Sequence, residues 1–137
     1  MKFFAHKSYL DQNGVPTSSD QMANHRLICQ SPDSPQVRAG ARWVEPFVTA
    51  NNSSLMMVNN YFGILQAVIH GFGIGALPDY LALDFPDLIT VLPETVSDSF
   101  PVFLAYPEEL RHSKRVNAFR DFIVDEIIED NRKRKSK

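Results

Sequence analysis

Short apolar runs alternate along this chain with polar breaks marked by proline, glycine and asparagine. Runs of about four to eight apolar residues suit strands, whereas apolar positions recurring every three or four residues suit helices. Lys2 to Ala5 predicts a short strand. Pro16 to Asp20 is turn-like, and Thr17, Ser18 and Ser19 can cap a short helix from about Asp20 to Asn24. Arg26 to Gln30 predicts a strand. Ser31 to Arg42, with Pro32, Pro35 and Gly40, predicts a loop. Trp43 to Val48 is apolar at both ends and broken by Pro46, which predicts an edge strand because proline cannot donate to a ladder. After a polar turn over Thr49 to Ser54, Leu55 to Val58 predicts a strand. Asn59 and Asn60 then offer amide oxygens to the first N–H groups of a helix over Tyr61 to His70. Ile64, Leu65, Val68 and Ile69 fall on one side of that helix, and Gly71 supplies a left-handed residue after it. Ile74 to Leu77 predicts a buried strand closed by Pro78, with one or two helical turns over Asp79 to Leu83. Leu88 to Leu92 predicts a strand ended by Pro93. Val96 to Phe100 is a connection, and Val102 to Tyr106 predicts another strand, ended by Pro107. A last helix from near Ser113 to about Glu129 carries Val116, Phe119, Phe122, Ile123 and Ile127 at helical spacing.

Strands alternating with helices give an α/β fold, and short apolar strands suit a sheet covered on both faces. Hydrophobic residues at 44% and charged residues at 22% are those of a folded domain. A net charge of -2 gives no general attraction to nucleic acid. The basic run Arg132, Lys133, Arg134, Lys135 and Lys137 reads as a solvated helix end, where the dipole favours cations. Cys29 has no second cysteine to pair with, which fits a reducing compartment. No apolar run approaches membrane length and no signal peptide is visible, so a cytoplasmic, non-membrane protein is expected.

Catalytic chemistry finds little support. His6, His25, His70 and His112 have no metal-ligand spacing, so no metal and no cofactor are expected. There is no Walker A sequence, no C-x-x-C and no G-x-S-x-G elbow. Gly71-Phe72-Gly73-Ile74-Gly75 is glycine-dense, but it follows a helix and precedes a strand, the reverse of a dinucleotide fingerprint. Those glycines read as a helix stop and a tight return into the sheet. Asn59 and Asn60 are the more informative pair. They cap a helix, and a helix start also favours a carboxylate or other anion.

Several blocks together resemble the co-inducer-binding domain of LysR-type transcriptional regulators. They are Ser8-Tyr9-Leu10, Gly14, Pro16 and Asp20 through His25-Arg26-Leu27-Ile28; then Asn59-Asn60, a helix and Gly71-Phe72-Gly73-Ile74-Gly75-Ala76-Leu77-Pro78. Leu88 to Pro93, Val102 to Pro107 and the helix with Phe119-Arg120-Asp121-Phe122 extend the similarity, which runs from about Phe3 to Ile127. The resemblance implies a periplasmic-binding-protein-like (type II) fold, here incomplete and mainly the second subdomain. On that reading residues 1–4 are a crossover strand and 5–93 the second α/β subdomain. Residues 94–130 are a returning strand and helix of the first subdomain, and 131–137 a basic tail.

The resemblance further implies a small, anionic effector in the cleft between subdomains, a non-enzymatic role and self-association. Promoter DNA would be contacted only through an N-terminal helix-turn-helix absent from this chain. Asn59, Asn60, Gly73 and Ile74 are the expected effector-binding residues. A truncated interaction or binding module without regulatory activity of its own is the alternative reading. A small enzyme is a third, which the lack of a nucleophile, base or metal set disfavours.

Overall fold

In a computed structural model of the protein, residues 1–30, 43–48, 55–98 and 103–135 are described. The chain divides into two compact units, Met1–Phe100 and Pro101–Lys137.

The first unit is a five-stranded sheet, β1 (Lys2–His6), β2 (Leu27–Gln30), β3 (Leu55–Val58), β4 (Ile74–Leu77) and β5 (Leu88–Val91). Its order is β3-β2-β4-β1-β5. β2 lies parallel to both β3 and β4, while β1 runs antiparallel to β4 and β5. Alternate residues of each strand face opposite sides, so one chain feeds two cores. Phe3, Ala5, Leu27, Cys29, Ile74, Ala76 and Val91 pack on one face with Tyr9, Leu10, Met22 and Val44. Phe4, Ile28 and Leu77 pack on the other against Ile64, Leu65, Ala67 and Val68. Both faces are therefore covered, as the apolar strands lead one to expect.

The first face is covered by α1 (Lys7–Asn13), by a 3-10 turn at Ser19–Asn24 and by α2, residues 43–48. The expected edge strand at Trp43 to Val48 is thus helical. Trp43 and Phe47, and likewise Val44 and Val48, are one helical turn apart and turn to the sheet, leaving Glu45 and Pro46 exposed. Trp43 stacks on Phe3 with centroids 4.6 Å apart, and Phe47 meets the same ring edge-on at 4.9 Å. That aromatic cluster outweighs the strand signal read from Pro46.

The second face is covered by α3 (Tyr61–Ile69), which begins where expected: Asn60 accepts the Gly63 N–H at 2.8 Å. It ends in a Schellman pattern, with Gly71 N–H on the Val68 carbonyl, Phe72 N–H on the Ala67 carbonyl and Gly71 at φ 71°. Gly75 in β4 lets the helix sit close, because a Cβ there would collide with Val68 Cγ2 and Ile64 Cγ2.

The second unit is built around α4 (Lys114–Lys135), preceded by a 3-10 turn at Glu108–Leu110. The helix runs six residues past its expected end near Glu129. The strand expected at Val102 to Tyr106 does not form over residues 103–106, which pair with no strand among the described residues; Val102 lies outside them. Extended chain becomes a strand only where a neighbour completes its ladder. Phe119, Phe122, Val124, Ile127 and Ile128 are exposed along α4. The loops expected at Ser31 to Arg42 and Thr49 to Ser54 also lie outside the described residues.

Candidate functional site

The parallel strands give the sheet of the first unit two chemically different ends. In β2, Leu27 stands opposite Leu55 and Ile74, and Gln30 stands opposite Val58. Asn59 and Asn60 therefore lie past the carboxyl end of β2, while Gly73 lies before its amino end. At about 3.3 Å per residue the two ends are roughly 10–13 Å apart. The four residues expected to form one wall are brought together only in pairs.

The carboxyl end collects the groups that can receive a ligand. Asn59 and Asn60 are exposed there, and Asn60 Nδ2 donates to Asn59 Oδ1 at 2.7 Å. Gln30 Nε2 donates to the Asn59 carbonyl at 3.0 Å. The other half of that amide, Gln30 Oε1, is buried and accepts no hydrogen bond among the described residues. Such an acceptor costs free energy until a donor reaches it. Gln30 went unnoticed in the sequence because nothing in strand periodicity marks the last residue of a strand as a site.

The segments before β1 and after β5 meet at the same end. The Met1 carbonyl accepts the Ser97 N–H at 3.1 Å, and the Met1 amine donates to Ser97 Oγ at 2.7 Å. Tyr61, at the start of α3, donates its hydroxyl to Met1 Sδ at 3.6 Å. Burial, with the neighbouring Tyr80 adding to it, holds the Tyr61 hydroxyl above the ordinary phenol range, so it stays a neutral donor. Leu92, just after β5, is buried with φ 49°, a left-handed conformation that costs a non-glycine residue roughly 1–2 kcal/mol.

The amino end is closed. Ile74 is fully buried and its N–H bonds the Arg26 carbonyl at 2.8 Å. A Cβ on Gly73 would strike that same carbonyl, so the glycine is needed for backbone approach. Arg26 Nη1 donates to the Phe72 carbonyl at 3.1 Å. Gly73 and Ile74 thus lie against Arg26, at the opposite end of the strands from Asn59 and Asn60.

Among the described residues no group of three His, Cys, Asp or Glu side chains could hold a metal ion. Cys29 is buried, and burial pushes its thiol pKa up, which makes it a poor nucleophile. Among the described residues no helix is long and apolar enough to cross a membrane.

The family described as the LysR substrate binding domain matches residues 1–127 of this chain. An uncharacterized HTH-type transcriptional regulator of Haemophilus influenzae is 26% identical over 113 residues, covering 80% of this chain and 39% of that protein. The chain thus spans about two fifths of that curated relative's length. In structure it is similar to the regulatory domain of CrgA, a LysR-type transcriptional regulator from Neisseria meningitidis. The TM-score is 0.69 at 21% identity, over 91% of this chain and 63% of that one. A full-length AphB variant superposes with a TM-score of 0.51 at 18% identity, over 72% of this chain and 34% of that one.

Proposed function

Because the chain belongs to the LysR substrate-binding domain family, whose members sense effectors and regulate rather than catalyse, we propose that it supplies one wall of a small-molecule effector site at the carboxyl end of its sheet. The observation that carries this reading is the strand order. β2 lies between β3 and β4, so the chain steps to one side of β2 and then crosses to the other. In open α/β sheets the crevice outside the carboxyl ends at such a switch point is where ligands bind. Asn59, Asn60, the start of α3 and the buried Gln30 Oε1 all lie there.

On this reading residues 5–93 are the second subdomain, 1–4 and the segment after 93 are crossings to a first subdomain, and 94–130 return to it. The effector is a small anion. Its negative group meets the N–H groups at the start of α3, and a donor group reaches Gln30 Oε1. The complete regulator is a cytoplasmic oligomer that binds promoter DNA through an N-terminal helix-turn-helix like that named for the Haemophilus influenzae relative. Gly73 and the buried Ile74 side chain lie at the other end of the strands, outside the proposed site.

The test is a thermal-shift screen of small carboxylates against the two-subdomain sensor built around this chain. An effector at about one hundred times its Kd should raise apparent stability by about 2.7 kcal/mol. The same effector should bind more weakly to the Asn59→Ala and Asn60→Ala proteins in titration calorimetry, once their folding is verified. If both bind it with unchanged affinity, the asparagine side chains are not part of the site.

A further inference from the structure

The effector reading leaves one buried polar pair without a role. Tyr9 on α1 and His25 just before β2 are 7% and 5% exposed. The Tyr9 hydroxyl lies 3.3 Å from His25 Nδ1 and accepts the backbone N–H of Arg26 at 3.0 Å. In the tautomer protonated at Nε2, the Tyr9 hydroxyl donates to Nδ1 while accepting the Arg26 N–H. Arg26 carries the connection onward, since its carbonyl takes the Ile74 N–H. One hydroxyl therefore ties α1 to the start of β2, and through Arg26 to the start of β4.

We propose that the Tyr9–His25 pair is a proton-sensitive fastening, which holds α1 on the amino end of the sheet and releases it on acidification before the rest of the sheet unfolds. A proton on Nδ1 turns the acceptor of the Tyr9 proton into a second donor facing the same oxygen. It also places an imidazolium in a buried site, where charge is disfavoured. Burial accordingly lowers the His25 pKa from its ordinary value. A histidine lowered in this way lends stability that is complete above its unfolded pKa of about 6.5 and is lost as pH falls through the folded value beneath it. On the elements that cover this face, Lys7 and Asp11 on α1, Asp20 in the 3-10 turn and Glu45 on α2 are exposed, and the Arg26 guanidinium bonds the Phe72 carbonyl. His6 is the second imidazole on this helix: it caps α1 by accepting the Ser8 N–H through Nδ1 at 3.2 Å. Any acid effect must be separated from that cap.

Hydrogen exchange on the whole chain at about pH 7.5 and about pH 5, corrected for the intrinsic pH dependence of amide exchange, makes the separation. Protection of the α1 amides and of the Arg26 amide should fall on acidification, once the intrinsic pH dependence is removed. The amides of α3 should keep their protection. His6→Asn, which retains a capping oxygen, should show the same fall. His25→Asn, whose side-chain oxygen can take the Tyr9 proton but does not titrate, should show none. Unchanged protection in the wild type, simultaneous loss in α3, loss of the effect in His6→Asn or its persistence in His25→Asn would each overturn the proposal. If His25→Asn does not fold at neutral pH, an NMR titration of the wild type decides. One shared midpoint below 6.5 for the His25 ring and the α1 amides supports the fastening, and separate midpoints overturn it.

Discussion

The two ends of this sheet are separated by parallel strands only four residues long, yet they are built on opposite principles. At the amino end, Tyr9, Arg26, Phe72, Gly73 and Ile74 spend their polar groups on one another, and backbone touches backbone. At the carboxyl end, Asn59 and Asn60 are exposed and Gln30 keeps a buried oxygen without a donor among the described residues. With the effector site where we propose it, stability and recognition would be divided along the strand axis. Substitutions at the amino end should cost folding and leave effector affinity per folded molecule alone, while substitutions at the carboxyl end should weaken affinity by more than their loss of stability explains.

Gly73→Ala should have the largest effect. Its methyl would strike the Arg26 carbonyl and force β4 away from β2, at a cost of about 3 kcal/mol in urea unfolding. Tyr9→Phe comes next: it takes the hydroxyl from a part-buried Arg26 N–H and from the buried His25 ring and should cost about 1–3 kcal/mol, again without weakening effector binding. Asn60→Ala removes the α3 cap and should cost about 1 kcal/mol, with effector affinity in calorimetry falling by more than that loss explains. Gln30→Leu should shift stability least, within about 0.5 kcal/mol, because a lost bond to Asn59 is offset by removal of an unsatisfied oxygen. Its effect should appear instead as weaker effector binding. A Gln30→Leu protein that binds normally, or a Tyr9→Phe protein that folds normally but binds poorly, would erase the division.

Much of the architecture was legible because its signals are local. The asparagine cap, the periodic helix, Gly71 at positive φ and the following apolar strand stand where the pattern puts them. α1 was harder to see, since a seven-residue helix capped by a histidine side chain and closed by Gly14 has too little apolar repeat to register. At residues 43–48 two periods competed, and Pro46 favoured the wrong one until Phe3 offered a ring to stack on. Strand direction is a different kind of information. Asn59 and Ile74 are close in sequence, but a helix returns the chain between them, and only the parallel pairing to β2 shows that they lie at opposite ends.

The position of β1 bears on how the sheet is assembled. The strand lies second from the β5 edge, yet Phe3 pairs with Ala76 on one side and Val91 on the other. During synthesis at about 5–20 residues per second, β1 must wait on the order of ten seconds for its neighbours to be made. β2 and β3 can meet sooner, so the sheet should grow from its β3 side and admit its oldest strand late. For that interval Phe3 and Phe4 are exposed on an unpaired strand, a target for chaperones and for other nascent copies. The segment that ends up most completely enclosed by hydrogen-bonded neighbours is then the one with the longest unprotected youth.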